Sequence, residues 1–262
     1  MTVDPLGSAH RIQHALDLLR ELVARELKVK YERSVLGLGW SLLNPFLQLL
    51  LYTFVFGNVL DLKIPHYSSF VFAGLLVWSW FASALQSGAG SISSNRELVR
   101  RPGFPVAVLP VLAVASNGIS FLLALPVLFL FLLFDGGTFN SSLLALPLLI
   151  ALQFLLTLGP ACLIAASNVR YRDTQHLVGV ALMFGFYLTP VFYNRAAIPE
   201  AYHLIFAVNP VAALVDAYRA ILLQGRWPDL TALFLLLLLS LCMLAVGYRA
   251  FERARVRFAE EL

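Results

Sequence analysis

Six stretches of this 262-residue chain contain no Asp, Glu, Lys or Arg: residues 34–60, 64–95, 102–134, 136–169, 174–194 and 230–248. They are 27, 32, 33, 34, 21 and 19 residues long. A helix rising about 1.5 Å per residue needs roughly 20 apolar residues to cross about 30 Å of hydrocarbon. Each stretch is long enough to span once and too short to span twice. The expected fold is therefore all-α and membrane-integral, with six transmembrane helices.

The charges left over are distributed unevenly. Hydrophobic residues make up 60% of the chain and charged residues 13%, whereas charged residues are about a quarter of a soluble domain. If the chain starts in the cytoplasm, that side holds Arg11, Arg20, Arg25, Lys28, Lys30, Arg33, Arg96, Arg100, Arg101, Arg170, Arg172, Arg249, Arg253, Arg255 and Arg257. Only Lys63, Arg195, Arg219 and Arg226 fall outside. The positive-inside bias then places both termini in the cytoplasm. The net charge of +4 is accounted for by topology and gives no reason to expect a nucleic-acid partner.

Residues 1–34 are charged throughout and show no cleavable-signal pattern. Ile12, Leu16, Leu19, Leu22, Val23 and Leu27 recur at helical spacing, with Arg20, Glu21, Arg25 and Lys28 on other faces. Such a helix lies in the cytoplasmic interface with its apolar stripe in lipid, or packs that stripe on a soluble partner. The expected division is thus an amphipathic interface segment, 1–34, and a six-span membrane domain, 35–262. Cys162 and Cys242 fall in separate predicted spans and read as inert, buried thiols with no metal-site spacing.

Two connections have a pattern of their own. Between spans two and three, Ser94 or Asn95 can cap a short helix, Glu97 suits its first turn, and Arg100 and Arg101 suit its last. Pro102-Gly103 then stops it, giving a cytoplasmic helix over 94–101. Between spans five and six, Ala201–Val208 and Val211–Leu223 are apolar but too short to cross, with Asn209-Pro210 between them. This predicts a re-entrant outer hairpin over 196–225; a pair of helices lying on the surface is the alternative. Asp216 and Arg219, three apart, can pair on one helical face.

Several chemistries are missing. No carboxylate lies within a predicted span, although ion-coupled carriers keep one there at a cost of roughly 2.5–3.5 kcal/mol. No lysine sits in a GK[ST] context, so the chain carries no P-loop of its own. Ser91 and His176 would make a dyad only without a GxSxG elbow. The chain is not expected to be an enzyme by itself, to bind a metal or to hold a catalytic residue, and any driving energy must come from a partner.

The residues 34–37 (Ser-Val-Leu-Gly) and 40–45 (Trp-Ser-Leu-Leu-Asn-Pro), then Asn95–Arg101 with Phe104-Pro105, form the first part of a recognisable series. Asn168–Asp173, Thr189-Pro190-Val191-Phe192-Tyr193, Asn209-Pro210 and Tyr218-Arg219 follow in order. Taken together, the chain resembles the membrane subunit of ABC-type polysaccharide exporters, the permeases for O-antigen, capsule and teichoic-acid chains. Pro102-Gly103 departs from that pattern and leaves the end of the short helix undefined.

The resemblance implies a multi-pass subunit of the bacterial inner membrane that exports lipid-linked, O-antigen-like polysaccharide. It implies a homodimer working with two ATP-binding subunits that carry the ATP and Mg, this chain binding no cofactor, and an undecaprenyl-pyrophosphate-linked substrate. The short helix would be the coupling helix, touching the ATPase through Asn95, Arg96, Glu97, Leu98, Arg100 and Arg101. Arg170–Asp173 is either a second contact or a topology signal. Tyr52, Phe56, Trp78, Phe81, Tyr187 and Phe192 are candidate pore rings, since sugar C–H faces pack on aromatics; each could instead face lipid or pack internally. Lys30, Arg33, Gly37 and Gly39 are candidates for the lipid-pyrophosphate entrance, and Asn209, Asp216 and Arg219 for an outer gate. The alternatives are a related ABC permease for a drug or small lipid, and an intramembrane enzyme acting on polyprenyl-linked sugars.

Overall fold

A computed structural model describes residues 5–31, 39–60, 62–136, 140–195 and 198–261, and among them every regular element is a helix. In chain order these are α1 (Pro5–Tyr31), α2 (Gly39–Tyr52) running into a π-helix (Thr53–Val59), α3 (Tyr67–Gly90), α4 (Arg96–Val99) and α5 (Val108–Phe134). Then come α6 (Leu146–Arg170), α7 (Thr174–Tyr187), α8 (His203–Val208), α9 (Pro210–Leu222), α10 (Leu230–Arg255) and α11 (Phe258–Glu261).

Four segments are long and apolar enough to cross a membrane: Tyr67–Gly90, Val108–Phe134, Ser141–Arg170 and Leu230–Arg255, of 24, 27, 30 and 26 residues. They coincide with predicted spans two, three, four and six. The first predicted span is α2 with its π-helical continuation, fourteen and seven residues. The fifth is shorter than expected. Its helix α7 ends at Tyr187 after 14 residues, about 21 Å at 1.5 Å per residue, instead of continuing towards 192. Pro190 explains the stop: it has no N–H for the ladder, and it disfavours helical backbone at Thr189 before it. Span six errs the other way. Its helix passes the expected end at 248 and runs to Arg255, because arginines are good helix formers and suit a C-terminal turn.

α3 is the central element, packed on α5, α6, α7, α9 and α2. Its face carries Val71, Phe72, Leu75, Leu76 and Ala84, all buried. α10 packs chiefly on α6, where Gly159 and Gly247 bring the two backbones together. Cys162 is buried as expected. Cys242 is exposed, since the residues of α10 turned away from α6 form its outer apolar surface.

The two ends of the bundle differ in their connections. At one end, Ser69 at the start of α3 donates to Asp135 just past α5, and His66 Nδ1 lies 3.5 Å from the same carboxylate. Ser142 Oγ donates to Ile221 O at that end. The other end gathers Ile92, Val99, Val106, Val169, Phe251 and Phe258 into a second small core. The basic clusters at 96–101, 170–172 and 249–257 adjoin this second core. α1 packs on α5, and Glu26 accepts from Ser116 Oγ at 3.2 Å.

Candidate functional site

The six candidate rings come from three separate segments, and the structure joins them into one cluster. Tyr52 closes α2 and Phe56 follows in the π-helix; Trp78 and Phe81 lie on α3; Tyr187 ends α7 and Phe192 lies just beyond it. Tyr52 stacks on Phe192 with centroids 5.8 Å apart and planes 9° off parallel, and Phe56 lies 4.8 Å from Phe192. Trp78 and Phe81 are 5.8 Å apart, and Tyr187 meets Phe192 edge-on at 6.1 Å.

The ring that connects these groups is Phe186, which the sequence reading did not select. It contacts Tyr52 at 5.8 Å, Trp78 at 5.8 Å and Phe192 at 5.7 Å. Its neighbour Tyr187 looked equivalent, because adjacent helical positions differ only in which way they face, and that depends on packing. Gly185 makes the contact possible: a Cβ there would sit 2.9 Å from the Trp78 ring. One side of the cluster stays open, with Tyr187 62% exposed. Offset and edge-on ring pairs stabilise by about 0.5–1.5 kcal/mol each beyond area burial, so the cluster fixes the relative positions of α2, α3 and α7.

The segment expected as a re-entrant hairpin contains two short helices, α8 and α9, joined at Asn209. Asn209 Oδ1 accepts from Val211 N at 3.0 Å and Ala212 N at 3.3 Å, capping α9. Its amide donates to Leu188 O at 3.0 Å and Thr189 Oγ1 at 2.9 Å. This one residue therefore ties the break in the hairpin to the end of α7.

The expected pairing of Asp216 with Arg219 is replaced by another arrangement. Asp216 Oδ2 accepts from Arg195 Nη1 at 3.3 Å, at a rim where both side chains are about 40% exposed. Arg219 turns inward and is only 4% exposed. It donates to Pro190 O and Val191 O at 2.6 Å each, and to Phe70 O at 3.1 and 3.2 Å. The physical reason is that the chain has left the helix after Tyr187, so the Pro190 and Val191 carbonyls have no ladder partner, and buried carbonyls need a donor. They compete successfully for the guanidinium.

At the opposite end of the bundle, the connection over 94–101 is a 3-10 turn, Ser93–Asn95, followed by the one-turn helix α4. Ile92 and Val99 are buried in the second small core, while Arg96, Glu97, Arg100 and Arg101 are exposed and Leu98 is half-buried. The predicted side-chain cap does not form; Asn95 Nδ2 instead donates back to Ser91 O at 2.8 Å. Gly103 has φ +80°, a left-handed conformation that costs glycine little and turns the chain sharply towards α5. Beside this, Arg170 lies 5.3 Å over the Tyr171 ring, and Arg172 and Asp173 are exposed. Of the entrance candidates, Arg33 and Gly37 lie outside the described residues, as does the side chain of Lys30 within α1. Gly39 opens α2.

Comparison with known proteins places this architecture. Residues 17–223 match the family described as ABC-2 type transporter. The chain is 37% identical over 247 residues to a Myxococcus xanthus protein named O-antigen export system permease protein RfbA, covering 94% of this chain and 95% of the relative. A Klebsiella pneumoniae protein of the same name is 32% identical over 254 residues, covering 97% and 98%. The Escherichia coli polysialic acid transport protein KpsM is 24% identical over 241 residues, covering 89% and 93%. With most of its length matched by the family and by these relatives, the chain belongs to the ABC-2 type transporter family of membrane proteins.

Proposed function

We propose that this chain is the transmembrane subunit of an ATP-driven exporter that moves lipid-linked, O-antigen-like polysaccharide across the bacterial inner membrane. The observation that carries this reading, beyond family membership, is the ring cluster of Tyr52, Phe56, Trp78, Phe81, Phe186, Tyr187 and Phe192. Sugars present C–H faces that pack on aromatic rings, and a sliding polymer is better served by rings than by fixed charges that would hold it. The names of the relatives, which specify O-antigen and polysialic acid, support the substrate class.

In this reading the chain crosses six times, with both termini in the cytoplasm. Predicted span one is the α2–π-helix run, and span five is α7 completed by the segment to Phe192. Two copies assemble so that the open sides of their ring clusters face a shared path, while two ATPase subunits with their ATP and Mg act from the cytoplasmic side. The exposed charges of α4, with Asn95, Leu98, Arg100 and Arg101, form the coupling contact. Lys30, Arg33, Gly37 and Gly39 meet the undecaprenyl-linked pyrophosphate, and Asn209, Asp216 and Arg219 belong to the outer closure.

The test is to express the chain with its genomic neighbours, purify it from detergent and measure which proteins accompany it. An ATPase should co-purify, and deletion of this chain should abolish surface polysaccharide while its lipid-linked precursor accumulates inside. Export that continues in the deletion strain would refute the proposal.

A further inference from the structure

We propose that Arg219 is a positioning residue for the ring cluster, holding Phe192 in place through a clamp that Gly74 accommodates and Tyr67 completes. The inference rests on the exporter reading and gives one residue of the hairpin a specific task within it.

Phe192 is the hub of the cluster, in ring contact with Tyr52, Phe56, Phe186, Tyr187 and Tyr193. Yet it lies outside any helix, beyond the stop at Tyr187, so no helical ladder fixes its backbone. Three successive carbonyls do so instead. Pro190 O accepts from Arg219 Nη1 and Val191 O from Arg219 Nη2, both at 2.6 Å. Phe192 O accepts from the Tyr67 hydroxyl at 2.8 Å. The remaining donors of Arg219 reach Phe70 O on α3, and the guanidinium lies 3.4 Å above the Phe70 ring. The fork therefore links α9, α3 and the segment that carries Phe192.

The fit is close enough to depend on a glycine. A Cβ on Gly74 would lie 2.8 Å from Arg219 Nη2 and 3.1 Å from Val191 O, so only glycine leaves space for both the guanidinium and the carbonyl it holds. A buried arginine that bonds to carbonyls instead of an acid is a costly way to fill space, since its charge is stripped of water. An aliphatic side chain would pack α9 more simply. What the arginine adds is geometry: its rigid, planar set of donors can hold two adjacent carbonyls in fixed directions, which a lysine's single ammonium cannot.

The experiment uses the full complex in native membranes, with 4-fluorophenylalanine introduced at position 192 and, as a reference, at position 131. Phe131 packs edge-on against Phe72, in a different ring pair. Arg219→Lys, Gly74→Ala and Tyr67→Phe are compared for surface polysaccharide, membrane level, ATPase co-purification and fluorine resonance. The expected result is a shifted or broadened resonance at 192 with 131 unchanged. Export should fall about tenfold in Arg219→Lys and Gly74→Ala, and less in Tyr67→Phe, at retained level and association. A resonance at 192 that does not move in Gly74→Ala and Tyr67→Phe overturns the proposal, even if Arg219→Lys fails to accumulate. So does a moved resonance with undiminished export in all three. Wild-type export in the same strain checks the exporter reading separately.

Discussion

Gly159 and Gly247 show how much a single missing side chain contributes here. A Cβ on Gly247 would meet the Gly159 carbonyl oxygen at 2.0 Å, and one on Gly159 would meet the Met243 carbonyl carbon at 2.5 Å. Lipid chains are as apolar as leucine, so helices in a bilayer associate through close packing and polar contacts, and small residues permit the approach. Gly247→Val should cost about 1–3 kcal/mol or more by overpacking, read as a lower melting temperature of the detergent-purified protein. Gly179→Ala should be tolerated, because its Cβ would meet Gln86 at an ordinary 3.7 Å. Asn209→Ala should cost about 0.5–2 kcal/mol as a lost cap, and additionally frees Leu188 O and Thr189 Oγ1. Asp216→Ala belongs to a milder class: a pair as exposed as Arg195–Asp216 is worth about 0–1 kcal/mol. Single-variant melting curves should therefore rank Asp216→Ala as the least harmful of the three destabilising substitutions. At this scale the sequence was least informative. Three-residue spacing put Asp216 and Arg219 on one helix, but the inward turn of Arg219 depends on carbonyls near Pro190, 28 and 29 residues away.

Helices were far more legible than contacts, because charge-free length is a property of the chain itself. All six predicted spans contain helix, and the two clear errors in extent fall where a local rule met a competing one. Pro190 stopped α7 although the apolar run continued, and helix-forming arginines extended α10 although the run had ended. The connection over 94–101 was legible from its charge order, Glu97 early and Arg100 and Arg101 late with Pro102-Gly103 beyond, although the expected side-chain cap does not form. That Ile92 and Val99 anchor it in the core was not legible. Its apolar side is seated in the second small core, so its charged side can change without loss of the fold. Arg100→Glu/Arg101→Glu should therefore leave membrane level within about 0.5 kcal/mol of wild-type stability, as surface changes usually do. The same variant should lose the co-purifying ATPase and surface polysaccharide together. Retained association with intact export would show that the contact lies elsewhere, the exposed loop at Arg170–Asp173 being the next element to test.

For the molecule as a whole, the proposed topology rests on two observations of different kinds. The basic residues are asymmetric along the sequence, and the structure brings the basic connections to one end, around Ile92, Val99, Val169, Phe251 and Phe258. The starts of α3 and of the 141–145 turn meet the end of α5 and the hairpin at the other end. Moving a basic cluster to the outside opposes the positive-inside bias for every arginine in it. Ser141 and Ser94 report on the two ends, since both are exposed and each belongs to a short 3-10 turn. In a background of Cys162→Ala and Cys242→Ala, Ser141→Cys should react with a membrane-impermeant maleimide in intact spheroplasts. Ser94→Cys should react only after the membrane is opened. Cys242 is a useful internal check in the otherwise native chain. It is exposed but sits mid-helix in the most apolar of the four long spans, so the aqueous reagent should miss it while a lipid-soluble maleimide finds it. Labelling of Ser94→Cys from outside would invert the topology, and with it the assignment of α4 to the ATPase and of the α8–α9 hairpin to the outer face.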